Sequence, residues 1–191
     1  MIDFKIVTDQ VAGLLAGVDD RRLSGPTPCG HYTQAQLLNH LLGLSVAFTA
    51  AARGEVGSDN SAPPGEPPTI LQPEWRGELE DRLRTLADAW GEESAWEGDA
   101  LAGGVTLPAA VMALVGLNEV AVHGWDLARA TGQAYDLDPA TVEALTAFVG
   151  QDADDQAARE GVYGPVVAIP AAAAPQDHLI ALTGRNPFWS P

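Results

Sequence analysis

Charged and imidazole side chains interrupt an otherwise apolar helical run between Leu107 and Thr131. Apolar residues recur there at helical spacing, and one face of the predicted helix includes Glu119, His123 and Asp126. Glu119 and His123 are four residues apart, so their side chains lie one above the other and can both reach a single atom beside the helix. If these groups face inward they need partners, because leaving each of them unpaired costs about 1–3 kcal/mol.

A second imidazole interrupts the apolar stripe of another predicted helix, far upstream. The stripe within residues 36–48 consists of Leu37, His40, Leu41, Leu44 and Phe48. His40 is its only polar member, so we expect this side chain to face the protein core as well. If the two helices are neighbours, they bring two imidazoles and one carboxylate together.

Two histidines and one glutamate are chemically sufficient to bind a metal ion. Three protein ligands with an open fourth position are typical of catalytic zinc, whereas structural zinc normally takes four ligands. The same set also fits the two-histidine, one-carboxylate site of non-haem iron, so the ligands do not identify the ion. Two other interpretations remain open: an ordinary exposed Glu119–His123 pair, and a direct hydrogen bond between histidine and glutamate without a metal.

The charge balance excludes several classes of partner. Ten Lys plus Arg stand against twenty-six Asp plus Glu, a formal net charge of −16, which repels nucleic acid phosphates and anionic membranes. We expect no apolar stretch to approach the roughly 20 residues that span a bilayer, and the N-terminus lacks the pattern of a signal peptide. A cytoplasmic protein is therefore predicted.

Cys29 is the only cysteine, so no intrachain disulfide can form.

Local sequence signals predict an all-α protein built on a four-helix bundle, with a short C-terminal extension that is partly helical and partly irregular. The helices are predicted at residues 3–22, 33–53, 74–95, 106–131, 138–149 and 176–183. A T-x-x-Q capping box at Thr33 begins the second, and Gly132 ends the fourth. Residues 54–73 are a long Pro- and Gly-rich loop, either a lid or a solvated crossover. We divide the chain into a metal-binding bundle, residues 1–155, and an extension packed on it, residues 156–191.

Three blocks of sequence resemble one known family. They are Thr27-Pro28-Cys29-Gly30 with Thr33 and Leu37-Leu38-Asn39-His40-Leu41, the stretch from Glu119 to Gly132 that reads EVAVHGWDLARATG, and the closing residues Pro175-Gln176-Asp177 and Ala181-Leu182-Thr183-Gly184-Arg185. Together they look like the mycothiol-dependent maleylpyruvate isomerase group of the DinB/YfiT-like metalloenzymes. The similarity covers nearly the whole chain.

The resemblance implies a function as well as a fold. Members are four-helix bundles that bind a divalent metal, usually zinc, and His40, Glu119 and His123 match their three ligands; nickel or iron would also fit. Related enzymes use the metal to hold a low-molecular-weight thiol such as mycothiol, for isomerisation or S-transfer on a small electrophile. Members commonly dimerise, which allows a homodimer here. Maleylpyruvate isomerase itself carries a further C-terminal substrate domain, for which the residues after 155 are too few, so maleylpyruvate is not the expected substrate. The alternative is a non-catalytic protein that binds a metal or small ligand.

Five further residues are candidates with less specific signals. Asp126 either orients a metal ligand or a nearby arginine, or it makes a local cap. His31 and Tyr32 either line the mouth of a pocket or pack the turn before the second helix. Trp125 either packs against another helix or contacts a bound thiol. Cys29 is interpreted as small packing, because no histidine lies at a helical spacing that would activate it as a nucleophile. The sequence shows no clear general acid or base beyond the metal ligands.

Overall fold

A computed structural model describes residues 2–58 and 60–191 and is mostly helical. Its regular elements are α1 (Phe4–Leu14), α2 (Gln34–Ala52), α3 (Trp75–Trp90), β1 (Asp99–Ala102), β2 (Val105–Pro108), α4 (Ala109–Thr131), α5 (Pro139–Val149), α6 (Gln156–Arg159) and α7 (Pro175–Leu182). Short 3-10 turns occupy Leu15–Gly17, Asp20–Arg22, Glu93–Trp96 and Gly150–Asp152.

The first four helices form the predicted bundle. Both α1 and α2 pack against α3 and α4, so α1 and α2 occupy opposite corners and α2 lies beside α4. The core between them is almost entirely aliphatic and aromatic, with Leu37, Leu41, Leu79 and Leu117 fully buried. The four-helix bundle expected from the sequence is thus confirmed.

Helix ends agree with the sequence where capping residues set them. Thr33 accepts a hydrogen bond from the backbone N–H of Gln36, and the Gln36 side chain accepts one from the backbone of Thr33, which completes the capping box. Asp138 caps α5 in the same manner, through the backbone N–H groups of Ala140 and Thr141. Gly132 ends α4 with φ of 70°, a left-handed conformation that suits glycine.

Three predicted boundaries are wrong. The first helix ends at Leu14, not near Arg22, because a 3-10 turn follows and Val18 adopts an extended conformation. The third helix ends at Trp90, where Gly91 caps it, and only a 3-10 turn continues toward residue 95. The fourth helix begins at Ala109, since residues 105–108 belong to a strand.

A β-hairpin immediately precedes α4. Strands β1 and β2 pair antiparallel, from Asp99 opposite Pro108 to Ala102 opposite Val105. The two glycines between them have φ of 59° and 78°, as a tight primed turn requires. The loop after α2 is fixed to this hairpin by Asn60, whose side-chain amide donates to the carbonyls of Glu55 and Leu101.

The C-terminal segment folds back onto the bundle through α5 and α4. Helix α7 packs against α5, and Gln176 of α7 bonds to the backbone of Tyr135 and Leu137. Near the end of the chain, Arg129 of α4 donates to the carbonyl of Pro187 at 2.9 Å. The division of the chain at residue 155 stays a prediction.

Helix α2 corrects one expectation drawn from the sequence. It is long and apolar enough, by length and composition, to cross a membrane: 19 residues with a mean hydropathy of 1.3. In the fold, 61% of this stretch is buried inside the protein, as in the core helix of a soluble protein.

Candidate metal centre

The bundle brings His40, Glu119 and His123 together between α2 and α4. Nε2 of His40 lies 3.2 Å from Oε2 of Glu119, and Nε2 of His123 lies 3.4 Å from the same oxygen. The two imidazole rings meet edge to face with their centroids 4.8 Å apart. One donor atom from each side chain lies within 4.8 Å of the other two, which is close enough for all three to reach one ion.

The cluster pairs one carboxylate with two imidazoles, and each affects the pKa of its neighbours. Burial by itself would raise the pKa of Glu119, but hydrogen bonds with His123 and His40 outweigh it and hold that pKa well below its usual value. Burial would lower the pKa of His123, but hydrogen bonds with Asp126 and Glu119 outweigh it and raise that pKa. Because two ring nitrogens face one carboxylate oxygen, at least one nitrogen must carry a proton unless a metal ion takes its place.

Asp126 and Arg185 hold His123 in one orientation. Nδ1 of His123 lies 2.9 Å from Oδ2 of Asp126, a fully buried carboxylate. Nε of Arg185 donates to both oxygens of Asp126 at 2.8 and 3.0 Å, and Nη2 donates at 2.9 Å. With the proton of the ring on Nδ1 and directed at Asp126, the lone pair of Nε2 points at Glu119 and His40, which is the tautomer that a metal ligand needs.

Comparison with known proteins places this chain in a family. A family model described as the mycothiol maleylpyruvate isomerase N-terminal domain matches residues 4–128, well over half of the chain. The chain belongs to this family. The match includes α1 to α3, α4 as far as Ala128, and all of the clustered residues except Arg185, which lies in the C-terminal segment.

Relatives and solved structures are consistent with this membership of the mycothiol maleylpyruvate isomerase N-terminal domain family. Two uncharacterized proteins of Mycobacterium tuberculosis are each 30% identical to this chain over 188 residues. They are Rv0738 of strain H37Rv and MT0763 of strain CDC 1551 / Oshkosh, and each alignment covers 93% of this chain and 93% of the relative. Two crystal structures of the mycothiol-dependent maleylpyruvate isomerase, one of a mutant, align with TM-scores of 0.56 and 0.55 at 20% and 22% identity. Each alignment covers 78% of this chain and 67% of the isomerase, and it shows that the fold is shared.

The remaining candidate residues occupy different surroundings within the family fold. The Tyr32 ring lies 5.4 Å from the His40 ring and 6.4 Å from the His123 ring, so it borders the cluster. His31 is exposed. Trp125 is buried with the guanidinium of Arg129 5.6 Å from its ring centre.

Cys29 lies close to the cluster, but its thiol is not activated as a nucleophile. Its sulfur, a nitrogen of His123 and an oxygen of Asp126 lie within 4.8 Å of one another, which makes a second possible donor set. Arg185 already bonds to both Asp126 oxygens, and Nδ1 of His123 is engaged with the same carboxylate. Burial, followed by the charge of Asp126, raises the pKa of Cys29 to about 11, so this thiol stays protonated at neutral pH.

Sequence reasoning missed three polar residues beside the cluster. Arg185 appears in the sequence only as part of the closing block, and nothing local links it to Asp126, 59 residues earlier. Asn118, the residue before Glu119 in the chain, donates from Nδ2 to the hydroxyl of Tyr163 at 3.0 Å. The sequence signal for this contact is Asn118 itself, a polar residue in an apolar run. Its side chain is buried and therefore needs a hydrogen-bond partner.

A surface depression of about 560 Å³ lies elsewhere, at the C-terminal end of α2. Ala51, Arg53, Asp88 and Asp99 are among the residues that line it. At about 1.5 Å rise per residue, Ala51 is roughly 16 Å along α2 from His40, so this depression does not serve the cluster.

Proposed function

We propose that this chain is a metal-dependent enzyme that uses a low-molecular-weight thiol of the mycothiol kind for isomerisation or S-transfer on a small electrophile. The observation that carries the proposal is the convergence of His40 and His123 on one oxygen of Glu119, with His123 fixed by Asp126 and Arg185. Family membership supports the thiol, because the solved relatives are mycothiol-dependent isomerases.

The residues fit a divalent metal, with zinc as the first choice. His40, Glu119 and His123 would be the ligands, and the hydrogen bond from His123 to Asp126 is the outer support usual for a metal-bound histidine. A bound divalent ion would lower the pKa of a thiol or water beside it and so supply a nucleophile at neutral pH. The chain then needs no strong base of its own. The nearby Cys29 thiol would not serve as one, because its raised pKa keeps it protonated at neutral pH.

The loop after α2 is the proposed border of the substrate entrance. Asn39, next to His40, donates its side-chain amide to the carbonyls of Pro68 and Ile70 at 2.8 and 3.1 Å. Gln36, one turn earlier in α2, lies 3.4 Å from the carboxylate of Glu66. These bonds fix the loop beside the N-terminal half of α2, where Tyr32 and His40 face each other. We also propose a cytoplasmic location, the compartment of a small thiol pool.

Metal analysis of ligand variants tests the first half of the proposal. His123→Ala should abolish binding of zinc and remove the rise in melting temperature that zinc gives the wild type, because a ligand that binds only the native state stabilises it. His178→Ala is the matched control, since this histidine lies in α7 away from the cluster. Equal zinc content in wild type and His123→Ala would refute the ligand assignment.

Titration of the cobalt-substituted protein with mycothiol tests the second half. The visible spectrum of cobalt should change as the thiol approaches the ion, and thiol-dependent turnover of model electrophiles should accompany it. A spectrum unchanged at millimolar thiol, with no turnover, would favour the alternative of a non-catalytic metal-binding protein.

A further inference from the structure

A buried arginine without an acidic partner lies on the extension side of the candidate metal centre. Arg159 is 1% exposed, and its Nη2 donates to the carbonyls of Gly164 and Leu182. Among residues 2–58 and 60–191, Nε and Nη1 of Arg159 have no hydrogen-bond acceptor, and no carboxylate forms an ion pair with it. A buried charge is normally paired, so this guanidinium gives its surroundings an uncompensated positive potential.

Tyr163 stands between this arginine and the metal centre. The guanidinium carbon of Arg159 lies 5.3 Å from the centre of the Tyr163 ring. On the other side, the hydroxyl of Tyr163 accepts a hydrogen bond from Asn118, the residue before Glu119 in α4. Tyr163 is half-buried, so this residue is not sealed within the core.

The hydroxyl of Tyr163 retains a proton that it can donate. Burial and the charge of Glu119 raise the pKa of Tyr163 to about 12, so the phenol is neutral at physiological pH. Asn118 occupies an acceptor position of the oxygen, and within the described parts of the chain no group accepts the phenolic proton. The charges of Arg159 and Arg185 both act on this phenol in the direction that strengthens it as a donor.

The local charge contrasts with the rest of the molecule. The chain has twenty-six acidic residues and ten Lys plus Arg, yet two of those ten, Arg159 and Arg185, act on Tyr163 against the charge of Glu119. Asp126 neutralises Arg185, whereas Arg159 keeps its charge. An oxygen that carries negative charge would gain more from this arrangement than an uncharged oxygen.

We propose that Tyr163, supported by Arg159, is a substrate-binding residue whose hydroxyl donates a hydrogen bond to a negatively charged oxygen on the electrophile. This inference rests on the proposed function, because it assigns a partner to the reaction at the same site. Tyr163 is the contacting residue, and Arg159 acts through it as a positioning residue. Both belong to the segment between α5 and α7, outside residues 4–128 that match the family, so this contact is a property of the extension.

The test compares a carboxylate with its neutral isostere in the absence of metal and thiol. Butyrate and butyramide are titrated into metal-free wild type, Tyr163→Phe and Tyr135→Phe, with binding followed by ligand-observed NMR. Tyr135→Phe is the matched control, because it also removes one buried hydroxyl, and that hydroxyl has no hydrogen-bond partner among the described residues. Wild type and Tyr135→Phe should bind butyrate equally, and Tyr163→Phe about tenfold more weakly, the usual effect of losing a hydrogen bond to a charged group.

Arg159→Met supplies a second arm. It should weaken binding of butyrate and leave binding of butyramide unchanged, since only the carboxylate senses the lost charge. Equal butyrate affinity in wild type and Tyr163→Phe, or no binding of butyrate by wild type, would overturn the inference. Because metal and thiol are left out, failure of the butyrate experiment can be distinguished from failure of the zinc and mycothiol experiments.

Discussion

The buried ion pair between Asp126 and Arg185 offers the sharpest test of how the site is held. Asp126→Asn keeps the shape of the side chain but removes its charge, so Arg185 is left buried without a counter-ion. Breaking one partner of a buried pair costs about 3–5 kcal/mol. The side chain of Arg185 keeps 13% exposure and that of Asp126 keeps none, so we expect a loss near the lower end, about 3 kcal/mol.

This loss should be visible in two measurements on metal-free protein. Urea denaturation should show the free energy of unfolding lowered by about 3 kcal/mol, and the melting temperature should fall by about 6–12 °C for a chain of this size. A double variant, Asp126→Leu with Arg185→Leu, should recover most of the loss, because an apolar pair of similar volume often replaces a buried ion pair at little cost. Asp81→Asn is the surface control: its partner Arg84 is 66% exposed, and no measurable change is expected.

The same substitution should also weaken the metal centre. The amide keeps only one acceptor oxygen, for which Arg185 and the Nδ1 proton of His123 would compete, and this should reduce metal affinity by about 10- to 100-fold. At saturating metal, activity should fall more than metal content, because the orientation of His123 is lost before its coordination. An Asp126→Asn variant as stable as wild type, within 1 kcal/mol, with unchanged metal affinity would refute this account.

Four further substitutions, one of them a control, test packing, capping and ligation. Gly124→Ala should lower the free energy of unfolding in urea by about 1–3 kcal/mol, because the new Cβ would lie 2.5 Å from Cγ2 of Val11. Gly43→Ala is the control: its new Cβ would have nothing within 4 Å, so the free energy of unfolding should rise by about 0.5–1 kcal/mol. Asp138→Ala should cost about 1 kcal/mol at pH 7 by removing the cap of α5. Hydrogen bonds with Thr141 and Ala140 outweigh burial and lower the pKa of Asp138. The stability that the cap contributes is therefore present above the unfolded pKa and disappears as pH falls through the folded pKa. The urea midpoints of wild type and Asp138→Ala should accordingly differ less at about pH 3 than at pH 7. Glu119→Gln should reduce zinc content and turnover together, and a variant with full zinc content would contradict its role as a ligand.

Features set by neighbouring residues could be predicted from the sequence. The capping box at Thr33, the left-handed glycine at position 132 and the cap at Asp138 each fix a helix end through contacts within three or four residues. The inward positions of His40 and Glu119 also follow from helical spacing, once α2 and α4 are neighbours.

Features set by distant residues could not. The end of α1 at Leu14 depends on tertiary packing, since the side chain of Gln133 lies against Gly17 and donates to the carbonyl of Leu14. The contact between Arg185 and Asp126 joins residues that are 59 positions apart. Periodicity contains no information about such pairs, so Arg185 and Tyr163 could be assigned only once the chain was folded.

The contacts of His123 explain why the C-terminal segment matters to a site whose proposed ligands all lie in the bundle. A histidine that bonded only to Glu119 could place its proton on either nitrogen, and a proton on Nε2 would block a metal. Asp126 selects the useful tautomer by accepting from Nδ1, but a buried carboxylate needs a partner of its own. Arg185, from just after α7, supplies that partner through three hydrogen bonds. The bundle therefore presents the donor atoms, and the folded-back tail holds the carboxylate that orients His123.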